Sequence, residues 1–209
     1  MELNGRLKSS IKALQKHGYK ARFRYADLER NLGKESIETL EEAGFVEQRK
    51  KGYISFRWCA WQPLNVIKHI LPSLNSLKDA AYFEGDPLAA RPMLGDNVTL
   101  DYKAWELTNY QTPAMLCAYA DNMKKTCAAL KKAGFEHDGK DGRICILPKN
   151  ERKENAIEQV YYDSLASGGR SLLDAAALQL LYPDQIREKA KFSKDIMNKV
   201  RDELGQTAS

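Results

Sequence analysis

The side chains in this chain best suited to chemistry are cations crowded near the start. Arg49, Lys50 and Lys51 are consecutive, and Lys20, Arg22 and Arg24 fall at every second position a short way upstream. Clusters of this kind neutralise phosphates and release the counterions condensed on nucleic acid. Their location matters more than their number. The first 57 residues hold 13 Lys+Arg against 8 Asp+Glu, and the chain as a whole holds 33 against 28, so the net charge of +5 belongs to this segment and the remainder is neutral. A localised excess marks an electrostatic footprint, whereas a uniform one only aids solubility.

Groups that could support catalysis are present without the arrangement catalysis needs. His17, His69 and His137 have no Ser or Cys nucleophile motif beside them, and they read as solvated histidines on two helices and a polar turn. Cys59, Cys117, Cys127 and Cys145 form no C-x-x-C pair and read as reduced thiols. Zinc through Cys127, His137 and Cys145 lacks a fourth ligand and a standard spacing. Gly168-Gly169-Arg170 precedes a helix whose first turn could hold a phosphate, but no P-loop lysine and no G-x-G-x-x-G accompanies it, and Asp163 and Asp174 fall on separate helices. Residues 136–142 share only composition with a calcium loop and read as a hairpin tip. Trp58, Trp61, Tyr161 and Tyr162 read as core anchors. The expectation is a protein that is not an enzyme and needs no cofactor or metal.

The elements that must position the cations can be read from periodicity. Leu3, Leu7, Ile11 and Leu14 lie on one helical stripe that stops near Gly18; Tyr25 to Leu32 makes a second helix ending at Gly33; Lys34 to Ala43, with Ile37 and Leu40 inward, makes a third ending at Gly44. The short turn between the last two is a helix-turn-helix arrangement. Phe45 to Gln48 and Tyr53 to Phe56 are β-prone runs separated by Arg49-Lys50-Lys51-Gly52, which reads as a basic hairpin wing. Three helices and a hairpin predict a winged helix over residues 1–60. In such a unit the third helix enters the major groove, presenting Lys34, Ser36 and Thr39. Arg49, Lys50 and Lys51 would take phosphate or the adjacent minor groove, and Lys20, Arg22 and Arg24 would reach the backbone. Glu35, Glu38, Glu41 and Glu42 on the same third helix oppose its burial against phosphate, which opens an alternative in which the unit docks another protein, with the basic wing keeping DNA ahead.

Beyond Pro63 the sequence predicts a second domain over residues 61–209. Val66 to Leu77 reads as a connective helix interrupted or terminated near Pro72 and packed on later elements rather than on the wing, Asn97 to Tyr102 and Arg143 to Leu147 as β-like, and Ala114 to Tyr119 as an apolar run. Asn122 to Ala133, Ala156 to Ala166, Ser171 to Tyr182 and about Pro183 to Leu204 read as helices. The fold class expected is α/β (α+β), a winged helix-turn-helix followed by a mixed α/β domain with a helical C-terminus. Leu40 to Phe45 with Gly52 is echoed at a separation of 90 residues by Leu130 to Phe135 with Gly142, which reads as coincidence of a common helix end. No apolar run reaches the roughly 20 residues of a membrane crossing, and no secretion signal is visible, so the expected location is the cytoplasm. The last helix, with Ile186, Phe192, Ile196 and Val200 inward, suits either internal packing or an oligomer contact.

Ala80 to Ala90, with Tyr82, Gly85, Ala89 and Ala90, followed by Val98 to Tyr102, resembles the opening motif and strand of AbiEi-type abortive-infection antitoxins. Ile157 to Ala176, with Tyr161-Tyr162-Asp163-Ser164-Leu165, Gly168-Gly169-Arg170 and Asp174-Ala175-Ala176, resembles that family's closing segment, and the order agrees. The resemblance covers nearly the whole chain. It implies an autorepressing transcriptional regulator that binds operator DNA through its winged helix and counteracts a nucleotidyltransferase-like toxin. The acidic third helix and the proline within Gly85-Asp86-Pro87-Leu88 depart from the pattern, putting sequence-specific binding and that loop's conformation in question.

Overall fold

A computed structural model describes residues 3–138, 142–150 and 155–207. Among these the chain is a mixed α/β protein with ten α-helices and two sheets. Helix α1 (Gly5–Gln15) starts where Asn4 caps it, the Asn4 side-chain Oδ1 accepting from the Leu7 amide at 2.7 Å, and it buries Leu7, Ile11 and Leu14. Strand β1 (Phe23–Arg24) leads straight into α2 (Tyr25–Leu32). Gly33, at φ +79°, closes α2 and opens α3 (Lys34–Glu42), a one-residue turn that a side chain would strain. Strands β2 (Val46–Lys50) and β3 (Tyr53–Phe56) come next, and the antiparallel order across the sheet is β1-β3-β2.

Two features of this sheet differ from the sequence reading. Strand β2 runs on through Arg49 and Lys50, so the turn is only Lys51-Gly52, with φ +40° and +79°. Positive φ at both central positions is the signature of a type I′ two-residue hairpin, whose twist matches that of its strands, and Lys50 and Tyr53 pair directly on either side of it. The second is β1, where Arg22-Phe23-Arg24 alternates with Phe23 buried and both arginines exposed.

Helix α4 (Leu64–Lys78) runs unbroken through Pro72, against the expected interruption. It buries Val66, Ile67, Ile70, Leu71 and Leu74, which outweighs the roughly 3 kcal/mol disadvantage of an internal proline. It also packs in both directions, because one apolar cluster joins α1, α2, α3 and β3 to α4 and onward to the later helices. Next come β4 (Ala81–Glu84), α5 (Pro87–Leu94), β5 (Val98–Thr99) and α6 (Leu100–Thr108). The expected strand over 97–102 is thus two residues long; buried Leu100, at φ +55°, turns the chain into a helix. Strand β6 (Leu116–Ala120), α7 (Met123–Lys132), β7 (Glu136–Asp138) and β8 (Ile144–Pro148) complete the second sheet, in the order β5-β6-β8-β4-β7 with only β6 and β8 parallel.

One face of this sheet packs Leu116, Ala118, Ile144 and Ile146 against Ala90 and Leu94 of α5 and Leu130 of α7. The other places Cys117, Tyr119, Cys145 and Leu147 against Leu77 and Leu100. Behind it lie α8 (Ala156–Ser167), α9 (Ser171–Leu181) and α10 (Lys194–Thr207). The last helix starts eleven residues later than Pro183, where Ser193 can cap it, and its Val200, Ile196 and Met197 pack internally on Ala176 and Ala177. The echo at 90 residues is real as a local motif: Phe45 and Phe135 donate to the carbonyls of Leu40 and Leu130 in the same way. It is no second hairpin, since β7 pairs with β4 rather than β8.

Candidate nucleic-acid interface

The three-stranded sheet sorts its cations by face. Arg24 and Lys50 are both register partners of Tyr53, one from each side, and all three are exposed. In the next row Phe23 and Arg49 flank Ile54. Side chains alternate between faces along a strand, so Arg24, Tyr53 and Lys50 share the outer face while Phe23 and Ile54 point to the core. Arg22, Gln48, Lys50, Lys51, Tyr53 and Ser55 line a shallow depression of about 220 Å³ on that outer face. Lys20 is exposed in the loop before β1. Among the described residues none of Lys20, Arg22, Arg24, Lys50 and Lys51 has an acidic partner. The sole carboxylate in these strands is Glu47, at a bulge in β2 away from the turn.

Arg49 belongs elsewhere. Its guanidinium lies 4.4 Å from the centre of the Tyr25 ring and 3.3 Å from Glu41 of α3, so its charge is neutralised inside the unit. Helix α3 shows the same neutralisation. Lys34 pairs with Glu38 at 3.7 Å, and Glu35 with Arg6 of α1 at 3.3 Å. Thr39 donates its hydroxyl to the Glu35 carbonyl at 2.7 Å, and Ser36 is half-buried. Of the nine residues expected to meet DNA, the structure gathers Arg22, Arg24, Lys50 and Lys51 on one face, leaves Lys20 nearby, and sets Lys34, Ser36, Thr39 and Arg49 among carboxylates. Tyr53, Gln48 and Ser55 are not singled out by the sequence; the alternation Arg22-Phe23-Arg24 is the signal for the third strand that frames them.

Elsewhere the polar side chains serve the fold. Arg170 donates to Gln111 Oε1 at 2.9 Å and to the Thr112 carbonyl at 2.7 Å, and Ser171 donates to Asp101 at 2.8 Å, so the polar groups at the start of α9 are taken up by acceptors of the fold. Asp163 is buried and accepts from Ser73 and Thr99 at 2.6 Å and from Tyr119 at 2.9 Å, tying α8 to α4, β5 and β6. His69 is half-buried with its ring stacked 4.9 Å from that of Tyr162, which corrects its reading as solvated, while His137 is exposed as expected but lies on strand β7 rather than in a turn, with its ring edge-on to Phe83. Tyr161 and Tyr162 are fully buried, and Trp58 stacks on Phe192 at 5.1 Å. The four cysteines are free, and burial pushes the Cys59 thiol up to about 12, far from a reactive thiolate. Among the described residues no group of three or more His, Cys, Asp or Glu could hold a metal, and no helix is long and apolar enough to cross a membrane. Residues 139–141 of the acidic loop lie outside the described residues.

No family model, curated protein or solved structure matches the chain.

Proposed function

We propose that residues 1–60 form a winged helix that binds double-stranded DNA, and that the chain is a transcriptional regulator acting on its own operon. The observation that carries this reading is the outer face of the three-stranded sheet, where cations without acidic partners surround an exposed tyrosine. Unpaired cations are costly to crowd unless a polyanion meets them, and phosphate contacts supply most of the affinity of such proteins for a duplex. The resemblance to abortive-infection antitoxins extends the proposal to repression of an operon that also encodes a nucleotidyltransferase-like toxin. A second reading, a protein-docking module, is favoured by the four glutamates displayed on α3.

The test is binding of the purified chain to its own upstream DNA against a scrambled duplex of equal length, measured by fluorescence anisotropy at low and near-physiological salt. Tighter binding to the upstream duplex, weakening steeply with salt, is the expected outcome. Absence of binding to either duplex at low salt would overturn the proposal and leave the docking module standing.

A further inference from the structure

The position of the free charge within the N-terminal unit constrains how a duplex could sit on it. Helix α3 is the element whose insertion would read base edges. Its exposed side chains are Lys34, Glu35, Glu38 and Glu42, with Glu41 half-exposed, and Lys34 is 3.7 Å from Glu38. The two cations that approach it from elsewhere, Arg6 and Arg49, each meet a glutamate and so mask acid rather than add positive field. Insertion of this helix would bring carboxylates toward two phosphate walls. The uncharged groups it could offer to base edges shrink to one half-buried serine and a threonine whose hydroxyl is already donated within the helix.

The outer face of the sheet offers the opposite. Arg24 and Lys50 stand on either side of Tyr53, two strand spacings apart, or about 10 Å between backbones. Arg22 and Lys51 extend the same face around the depression. Resting on the proposed DNA binding, we infer that the duplex lies across the outer face of the β1-β3-β2 sheet, held through its phosphates, while α3 stays out of the major groove. Any preference for one sequence then arises from the shape and deformability of the duplex rather than from base-edge contacts.

Two variants and one modified duplex test this with the full chain. Arg22, Arg24, Lys50 and Lys51 are all exposed, so the quadruple variant R22Q/R24Q/K50Q/K51Q keeps the core and its fold is checked by circular dichroism. It is expected to bind at least a hundredfold more weakly at 0.1 M salt, with the slope of log K against log salt reduced by about 3 to 4, near 0.9 for each phosphate contact removed. The α3 variant K34Q/S36A/T39A is expected to bind within about threefold of the parent. So is the parent on a duplex whose guanine N7 atoms are replaced by carbon, which removes a major-groove acceptor. A tenfold or greater loss with the α3 variant or the modified duplex, together with an unchanged salt slope for the quadruple variant, overturns the inference while leaving DNA binding intact. Failure of the parent to bind any duplex overturns both.

Discussion

Asp174 shows how one residue's surroundings become a property of the whole chain. It lies on α9, 2% exposed, accepting from Gln111 at 2.9 Å. Burial pushes its carboxyl up to about 7, and nearby Asp101 adds to the rise while the Gln111 hydrogen bond and Arg170 offset part of it. The unfolded chain releases this proton near the ordinary value of about 3.9. Between those values the folded state holds a proton that the unfolded state has lost, so this group's contribution to stability falls as pH rises from about 4 to 7 and is flat above. The loss is on the order of a few kcal/mol, since each pH unit between the two values costs about 1.4 kcal/mol. Asp174→Asn retains an oxygen to accept from Gln111 and removes the ionisation. Thermal melts are expected to show the variant more stable than the parent at pH 8, with that advantage gone at pH 4. An advantage of the same size at both pH values would rule out the buried carboxylate as its cause.

At the scale of elements, the hairpin carries a conflict between folding and charge. Lys51 adopts φ +40° in a turn whose two central residues both need positive φ. A lysine is disfavoured there by roughly 1 kcal/mol or more, whereas Asn tolerates the conformation. Lys51→Asn is therefore expected to raise the melting temperature by about 2 to 4 °C and, with the duplex on the sheet face, to weaken DNA binding; a lower melting temperature would show that the lysine makes a compensating contact. The helices of this unit are legible in the sequence because Leu7, Ile11, Leu14, Ile37 and Leu40 carry a clean helical period and glycines stand at the ends. Strands β4 and β7 are not, because each is stabilised by partners distant in sequence. Tyr82 and Phe83, for example, pair with Cys145 and Ile144 on one side and with Asp138 and His137 on the other. The candidate site divides in the same way. Its cations are visible as a cluster, but which face each occupies depends on the register of β1 and β2 against β3, and the neutralisation of Arg49 by Tyr25 and Glu41 is a tertiary fact that spacing does not contain.

At the scale of the molecule, the N-terminal unit does not stand alone. Its apolar core continues without a break into α4, α8 and α9. Arg57, just past β3, donates to the Gly44 carbonyl at 3.2 Å and to the Ala166 and Ser167 carbonyls of α8 at 3.3 and 3.0 Å, stitching three segments together. Gln15 of α1 donates to the Gln62 carbonyl at 2.9 Å, while the Gln62 side chain accepts from the Lys191 amide at 2.7 Å, and Trp58 stacks on Phe192. A fragment ending at residue 60 keeps the Arg57–Gly44 contact but loses all the others and uncovers Cys59 and Ala60, which are fully buried in the intact chain. A chain of that length also buries only about 60% of its unfolded surface, leaving little stability in reserve. Lost burial and hydrogen bonds amount to several kcal/mol, and each kcal/mol shifts the melting point of so small a unit by about 4 to 8 °C. The fragment is therefore expected to melt at least ~10 °C below the intact chain, with circular dichroism at 222 nm as the readout for both. Equal melting temperatures would mean that the shared core adds nothing to the unit and that its surface could be presented to DNA without the rest of the chain. A large deficit would mean that whatever occupies the C-terminal layers also sets how firmly the basic sheet is held.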